Sequence, residues 1–65
     1  MRLQSAWDIV EWTVRDAAGR AVKSGGRVAA GSPWLLGAEG MKPGWHVLSC
    51  VGVDGRRWSL PLMVD

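Results

Sequence analysis

The chain has 65 residues, of which 48% are hydrophobic, and eight Arg/Lys against six Asp/Glu give it a net charge of +2. A chain of this length forms one domain at most, here residues 1–65, with a thin core. The charge is mild and the basic residues are scattered, so no nucleic-acid partner is indicated, and no apolar run approaches the ~20 residues of a membrane span.

Cys50 is the only cysteine, which excludes an intrachain disulfide and a thiolate metal site. We expect neither metal nor cofactor. A domain this small without such supports is expected to be an appendage of a larger protein or to lean on a partner. The N-terminal residues lack the pattern of a signal peptide, so any export signal is expected to lie outside this chain.

The first half of the chain reads as short strands separated by tight turns. Residues 1–5 predict one short strand, and residues 10–15 predict a half-buried strand with Val10, Trp12 and Val14 on its apolar face. Residues 16–20 predict a turn in which Asp16 opens the turn and Gly19 supplies a positive φ. An extended segment follows at 21–24, then a second turn at Gly25-Gly26.

The middle of the chain gives weaker patterns. Residues 27–30 predict a weak strand, residues 34–36 predict either a strand or a single helical turn, and residues 37–42 predict a loop. Pro43-Gly44 suits the centre of a type II turn, because proline fixes φ at the first central position and glycine tolerates a positive φ at the second.

The last third predicts a hairpin. Residues 45–52 alternate as a strand, and Asp54-Gly55 is among the strongest short hairpin patterns. In the last strand Trp58, Leu60, Leu62 and Val64 share one face, while Pro61 requires a sheet edge or an outward-facing position. The sequence therefore predicts an all-β domain of five or six short antiparallel strands, arranged as a small sandwich or barrel.

No pattern of catalytic residues emerges, and we expect no enzyme. His46 is interpreted as a strand residue with a satisfied ring, and Cys50 as a buried core residue, although a Cys–His pair stays open as a minor alternative. The five tryptophans lie on alternating strands, which favours core packing over exposed stacking on sugars or bases.

Three blocks, taken in order, resemble one known family. They are "VEWTVRDAAGRAV" at 10–22, "WLLGAEGMKPGWHVLSC" at 34–50 and "DGRRWSLPLMVD" at 54–65. Their order and spacing are similar to those of the C-terminal sorting domains of type IX secretion substrates from Bacteroidota. The likeness covers residues 9–65 and departs from the family at His46, where an aromatic residue is usual, and at the absent Pro-Asn-Pro opening, which implies a truncated first strand.

The resemblance implies an immunoglobulin-like β-sandwich of about five to seven strands that addresses a cargo protein for export. Its partners would be the outer-membrane translocon and shuttle barrel proteins, followed by a surface sortase that removes the domain. The cargo would pass through the periplasm to the cell surface or the medium. The residues carried over as recognition sites are Asp16, Gly19, Arg20, Pro43, Gly44, Leu60, Leu62, Met63, Val64 and Asp65.

The alternative interpretation is a generic β-sandwich interaction module that binds carbohydrate through exposed tryptophans. The two readings differ in which residues matter: the sorting domain depends on its last strand, and the carbohydrate module depends on exposed aromatic rings.

Overall fold

A four-stranded antiparallel sheet forms the body of the protein in a computed structural model that describes residues 2–37 and 39–65. The strands in chain order are β1 (Arg2–Leu3), β2 (Ile9–Arg15), β3 (Ala21–Gly25), β4 (Trp34–Leu35), β5 (Gly44–Gly52) and β6 (Arg57–Val64). The sheet has the order β3-β2-β5-β6, and β1 pairs with β4 in a separate two-stranded ladder.

Alternation along β5 divides the sheet into two faces. His46, Leu48, Cys50 and Gly52 are buried, whereas the residues between them are exposed or half-buried. Pairing carries this division to the neighbouring strands, because directly opposed residues in an antiparallel ladder lie on the same face. The core cluster comprises Ile9, Val14, Leu36, Leu48, Cys50 and Leu62.

The opposite side of the sheet is named the outer face. It carries Glu11, Thr13, Arg15, Trp45, Val47, Ser49, Val51, Arg57, Ser59, Pro61 and Met63. Several of these side chains are apolar and exposed, so this face is not covered by any other described part of the chain.

The β1–β4 ladder covers part of the core face. Leu3 and Trp34 pack against the core cluster, and the rings of Trp12 and Trp34 lie 4.9 Å apart between centroids. A β-bulge between Ile9 and Glu11 shifts the register of β2, which brings Ile9 onto the same core face as Val14. The small second layer therefore completes a core that the sheet alone leaves open.

Pro61 lies on the free edge of the sheet, as its sequence pattern requires. The Gly52 N–H donates to the Arg56 carbonyl at 2.7 Å, so the even-numbered residues of β5 bond towards β6. Hydrogen-bonded and non-bonded pairs alternate in an antiparallel ladder, and Pro61 opposes Val47, so the backbone of Pro61 faces away from β5. The ladder loses no bond there, and the free edge lacks one donor.

Most strand predictions are confirmed, and the all-β class holds throughout the described residues. The turns at Gly19 and Gly55 have the expected positive φ values of 85° and 84°. Residues 27–30 were predicted as a weak strand, but only Val28 pairs, in an isolated bridge with Ile9. Met1, within the predicted first strand, and Ala38, within the predicted loop, lie outside the described residues.

The prediction of core packing is wrong for two of the five tryptophans. Trp7 is 49% exposed and Trp45 is 59% exposed, while Trp12, Trp34 and Trp58 are half-buried against the core. Trp45 alternates onto the outer face, which has no covering layer, and Trp7 packs over Trp58 at a centroid distance of 5.7 Å. Among the described residues there is no helix of a length and hydropathy that could cross a membrane.

Gly25 is the glycine whose missing side chain the packing requires. A Cβ at Gly25 would lie 2.5 Å from the Trp12 ring, which is itself packed on Trp34. A Cβ at the adjacent Gly26 would meet no heavy atom within 4 Å, and Gly26 does not have a positive φ. We expect Gly25→Ala to lower the free energy of unfolding by about 1–3 kcal/mol through overpacking.

Gly26→Ala is the matched control, expected to change that free energy by less than about 0.5 kcal/mol. Urea unfolding of the three proteins, followed by tryptophan fluorescence, measures both effects. Equal stability of the two variants would contradict the packing of Trp12 over Gly25.

Candidate recognition site

The carboxylate of Asp16 holds the turn between β2 and β3 in place. Its Oδ1 accepts hydrogen bonds from the Ala18 N–H at 2.9 Å and the Arg20 N–H at 3.0 Å, and its Oδ2 lies 3.2 Å from Arg20 Nε. The Gly19 N–H donates to the Asp16 carbonyl at 2.9 Å, and Gly19 has a φ of 85° that a side chain would strain. One carboxylate therefore fixes both the backbone of the turn and the direction of its arginine.

Arg20 is presented to solvent by this turn. Its side chain is 74% exposed, whereas that of Asp16 is 19% exposed. The Arg15 guanidinium also donates to the Gly19 carbonyl at 3.2 Å, on the other flank of the turn. The arrangement gives an ordered positive group at one end of the sheet.

The same end of the sheet holds the start of β5 and the end of β6. Gly44 is the first residue of β5, has a φ of 126°, and pairs with Val64. The positive φ expected for Gly44 is confirmed. Pro43 lies in a bend, and Gly44 already belongs to β5. The turn residues before β5 are 39–40, not the predicted pair Pro43-Gly44.

The turn at 16–20 and the start of β5 border one cleft of about 570 Å³. Four of the residues carried over from the family resemblance line it, two from each of two separate sequence blocks: Asp16, Arg20, Pro43 and Gly44. Gly19 belongs to the same turn. The antiparallel order brings the blocks together, because the end of β2 lies beside the start of β5.

Lys23 holds the loop that forms one wall of the cleft. It lies on the core face opposite Val14, and its Nζ donates to the Gly37 carbonyl and lies 3.4 Å from the Glu39 carboxylate. The Lys23 side chain is 22% exposed, so this contact is partly shielded from water. The loop between β4 and β5 is thereby fastened to β3 before it reaches Pro43.

The residues predicted from the last strand divide between the interior and the surface. Leu62 and Val64 are buried in the core, so a partner reaches them only through the backbone, and Leu60 is half-buried against the core. Met63 is 46% exposed on the outer face, and Asp65 is exposed. Only the last two offer side chains for direct recognition.

His46 and Cys50 do not form a catalytic pair. Four residues of extended strand separate them, about 14 Å, with the buried Leu48 between. Cys50 is buried as predicted, and burial raises the pKa of its thiol. The satisfied ring expected for His46 is wrong at one atom: Nδ1 lies 3.1 Å from the Gly44 carbonyl, but Nε2 has no hydrogen-bond partner among the described residues.

Eight of the twelve residues that line the cleft were not predicted as site residues, and three of these eight carry large polar or aromatic side chains: Lys42, Trp45 and His46. All three flank Pro43-Gly44 in the sequence, so proximity to that pair was the available signal. Alternation in the sequence predicts a strand from Trp45 onwards, but it does not show that this strand begins at the end of the sheet where the cleft lies.

No family model, curated protein or solved structure matches the chain.

Acid is expected to loosen the Asp16 turn. The hydrogen bond from the Arg20 N–H, assisted by the Ala18 N–H and the Arg20 side chain and opposed by burial, lowers the Asp16 pKa below its ordinary 3.8. A carboxyl whose pKa is lowered on folding stabilises the protein above its unfolded pKa, and this stabilisation is lost as the pH falls through the folded pKa. Thermal unfolding of wild type and Asp16→Asn should therefore differ at pH 7, and the difference should shrink as the pH falls below 3.8.

Both proteins retain every other carboxyl group, so their contributions cancel in the comparison. A difference in Tm that stays constant between neutral and acidic pH would contradict the stabilising role of the ionised Asp16.

Proposed function

We propose that this chain is a sorting domain of the type IX secretion kind, which binds export machinery and performs no chemistry. The observation that carries the proposal is the convergence of Asp16, Arg20, Pro43 and Gly44 on one cleft. These residues come from two blocks about 25 residues apart in the sequence, and each block carries a motif of the family resemblance.

The geometry suits recognition because the exposed groups are already ordered. Asp16 holds Arg20 in place while leaving most of its side chain in solvent. A side chain fixed before binding loses less conformational entropy when a partner engages it. The guanidinium also suits a carboxylate, which it can bind through two parallel hydrogen bonds.

The last strand offers a partner fewer side chains than the family resemblance implies. Leu62 and Val64 hold β6 on the core, while Met63 and Asp65 face out. In the proposed domain the inward residues keep β6 in register, and the outward residues, with the turn at 16–20, form the surface that the machinery reads. Pro61 removes one donor from the free edge, which disfavours recognition by simple strand addition along the whole of β6.

The immunoglobulin-like architecture belongs to the same proposal. The β1–β4 ladder would be the reduced second sheet, packed on the core face of the larger one. The translocon, shuttle barrel and surface sortase are the proposed partners, and the cell surface or the medium is the proposed destination of the cargo.

The carbohydrate-binding alternative has less support from the positions of the exposed rings. Trp7 lies over Trp58, whose partner Cys50 is on the core face, whereas Trp45 lies on the outer face opposite Met63. Five rows of the ladder separate Trp58 from Met63, about 17 Å along the strand. Two exposed rings on opposite faces do not make one stacking platform for a sugar.

The test is an export assay. Residues 1–65 are fused to the C-terminus of a fluorescent protein that carries a periplasmic signal, in a type IX-competent bacterium. We expect fluorescence at the surface or in the medium, lost in a translocon mutant. Arg20→Ala is expected to reduce export about tenfold or more, as for loss of an interface anchor.

Arg56→Ala is the matched control, because Arg56 lies in the other Asp-Gly turn, 3.6 Å from Asp54, at the opposite end of the sheet. It should export normally. Retention of the folded wild-type fusion in the periplasm would overturn the proposal. Deletion of residues 60–65 is the weaker test, because it removes core side chains and unfolding alone would stop export.

A further inference from the structure

An apolar patch occupies one end of the outer face. Trp45 is 59% exposed, Met63 is 46% exposed and Val47 is 43% exposed, and Pro61 is also exposed. They are contiguous, because Trp45 pairs with Met63 and Val47 pairs with Pro61. Small soluble domains seldom leave a contiguous apolar patch open without a partner for it.

From the level of Val47 onwards the outer face forms three rows across β2, β5 and β6. The rows are Arg15–Val47–Pro61, Thr13–Ser49–Ser59 and Glu11–Val51–Arg57. In each row the β5 residue is the middle one. The face is therefore centred on β5, with one acidic residue on the β2 side and Arg57 at the same level on the β6 side.

We propose that a second copy of this chain packs on the outer face, with a two-fold axis that runs along β5. Such an axis keeps each row at its own level and exchanges the two sides, so β2 of one copy faces β6 of the other. The contact is isologous, as in the commonest class of homodimer. Sheets packed face to face keep their strands within about 30° of each other, which this axis allows.

Under this operation two of the three charged residues of the outer face, Glu11 and Arg57, find an opposite charge, while Arg15 lies opposite Pro61. Glu11 of each copy faces Arg57 of the other copy, which gives two opposite-charge contacts. Val51 and Val47 each face their own equivalents, and Ser49 faces Ser49 at the centre. At the level of Trp45, the apolar patch of one copy contacts the same patch of the other copy.

The dimensions fit a weak dimer. Three strands about 4.8 Å apart and seven residues of about 3.4 Å give a footprint near 14 by 24 Å. That is about 340 Å² on each copy, less than half of the roughly 800 Å² per partner of a standard interface, so we expect a weak and reversible dimer. Pairing through the free edge of β6 is disfavoured instead, because Pro61 has no N–H to donate there.

This inference does not rest on the proposed export role. The variants that test it change Val47, Glu11 and Arg57, none of which is among the residues that line the cleft. Loss of dimerisation with normal export, or the reverse, separates the two proposals.

The first experiment is sedimentation equilibrium of the full chain from about 1 µM to about 1 mM, the range over which such a dimer would form. We expect a reversible monomer–dimer equilibrium in the wild type. Val47→Lys places like charges against each other at the axis and should weaken dimerisation about a hundredfold or more. Ser24→Lys is the matched control: it adds the same charge on exposed β3, outside the three overlapping strands, and should leave the dimer intact.

The second experiment is a charge exchange at about 0.05 M salt, where surface charge pairs are least screened. Glu11→Arg alone and Arg57→Glu alone should each weaken the dimer about tenfold, and the double variant should restore it. Circular dichroism shows that each variant is folded. A wild type that stays monomeric throughout, a Val47→Lys protein that still dimerises, or a double variant that is not restored would overturn the proposal.

Discussion

The register of β5 between β2 and β6 is the constraint on which the rest of the structure depends. Because β5 is hydrogen-bonded on both sides, each of its residues fixes the level of one residue in each neighbour. That register places the start of β5 beside the turn at 16–20 and beside the last residues of β6. It also decides which side chains enter the core, since a shift by one residue would exchange the two faces.

Much of the fold could be predicted from local patterns, and the exceptions have a common cause. Alternation at 10–15 and 57–64, and the glycines at 19 and 55, specify strands and turns through the backbone alone. The bulge at Ile9, the single bridge at Val28 and the exposure of Trp45 depend on contacts between distant segments. Alternation shows that Trp45 and His46 lie on opposite faces, but it does not show which face is covered.

The sequence singles out residues of the candidate site, but it does not show that they lie together in space. The family resemblance marked the blocks at 16–20 and 43–44, but only the antiparallel order shows that they border one cleft. The same order removes Leu62 and Val64 from direct recognition, because hydrophobic side chains on the core face stabilise the strand that carries them. A motif in the sequence does not separate exposed side chains, such as that of Met63, from side chains that hold the strand on the core.

Two surfaces of the sheet stay open among the described residues. The two-stranded ladder of β1 and β4 covers only the core face of the four-stranded sheet. The uncovered face retains an apolar patch, and the free edge beside it is blunted by Pro61, so association by the face is favoured over association by the edge. The ordered Arg20 turn lies at the end of the same sheet. In the proposed dimer the outer face, Met63 included, is covered by the second copy, while the turn at 16–20 stays accessible to a different partner.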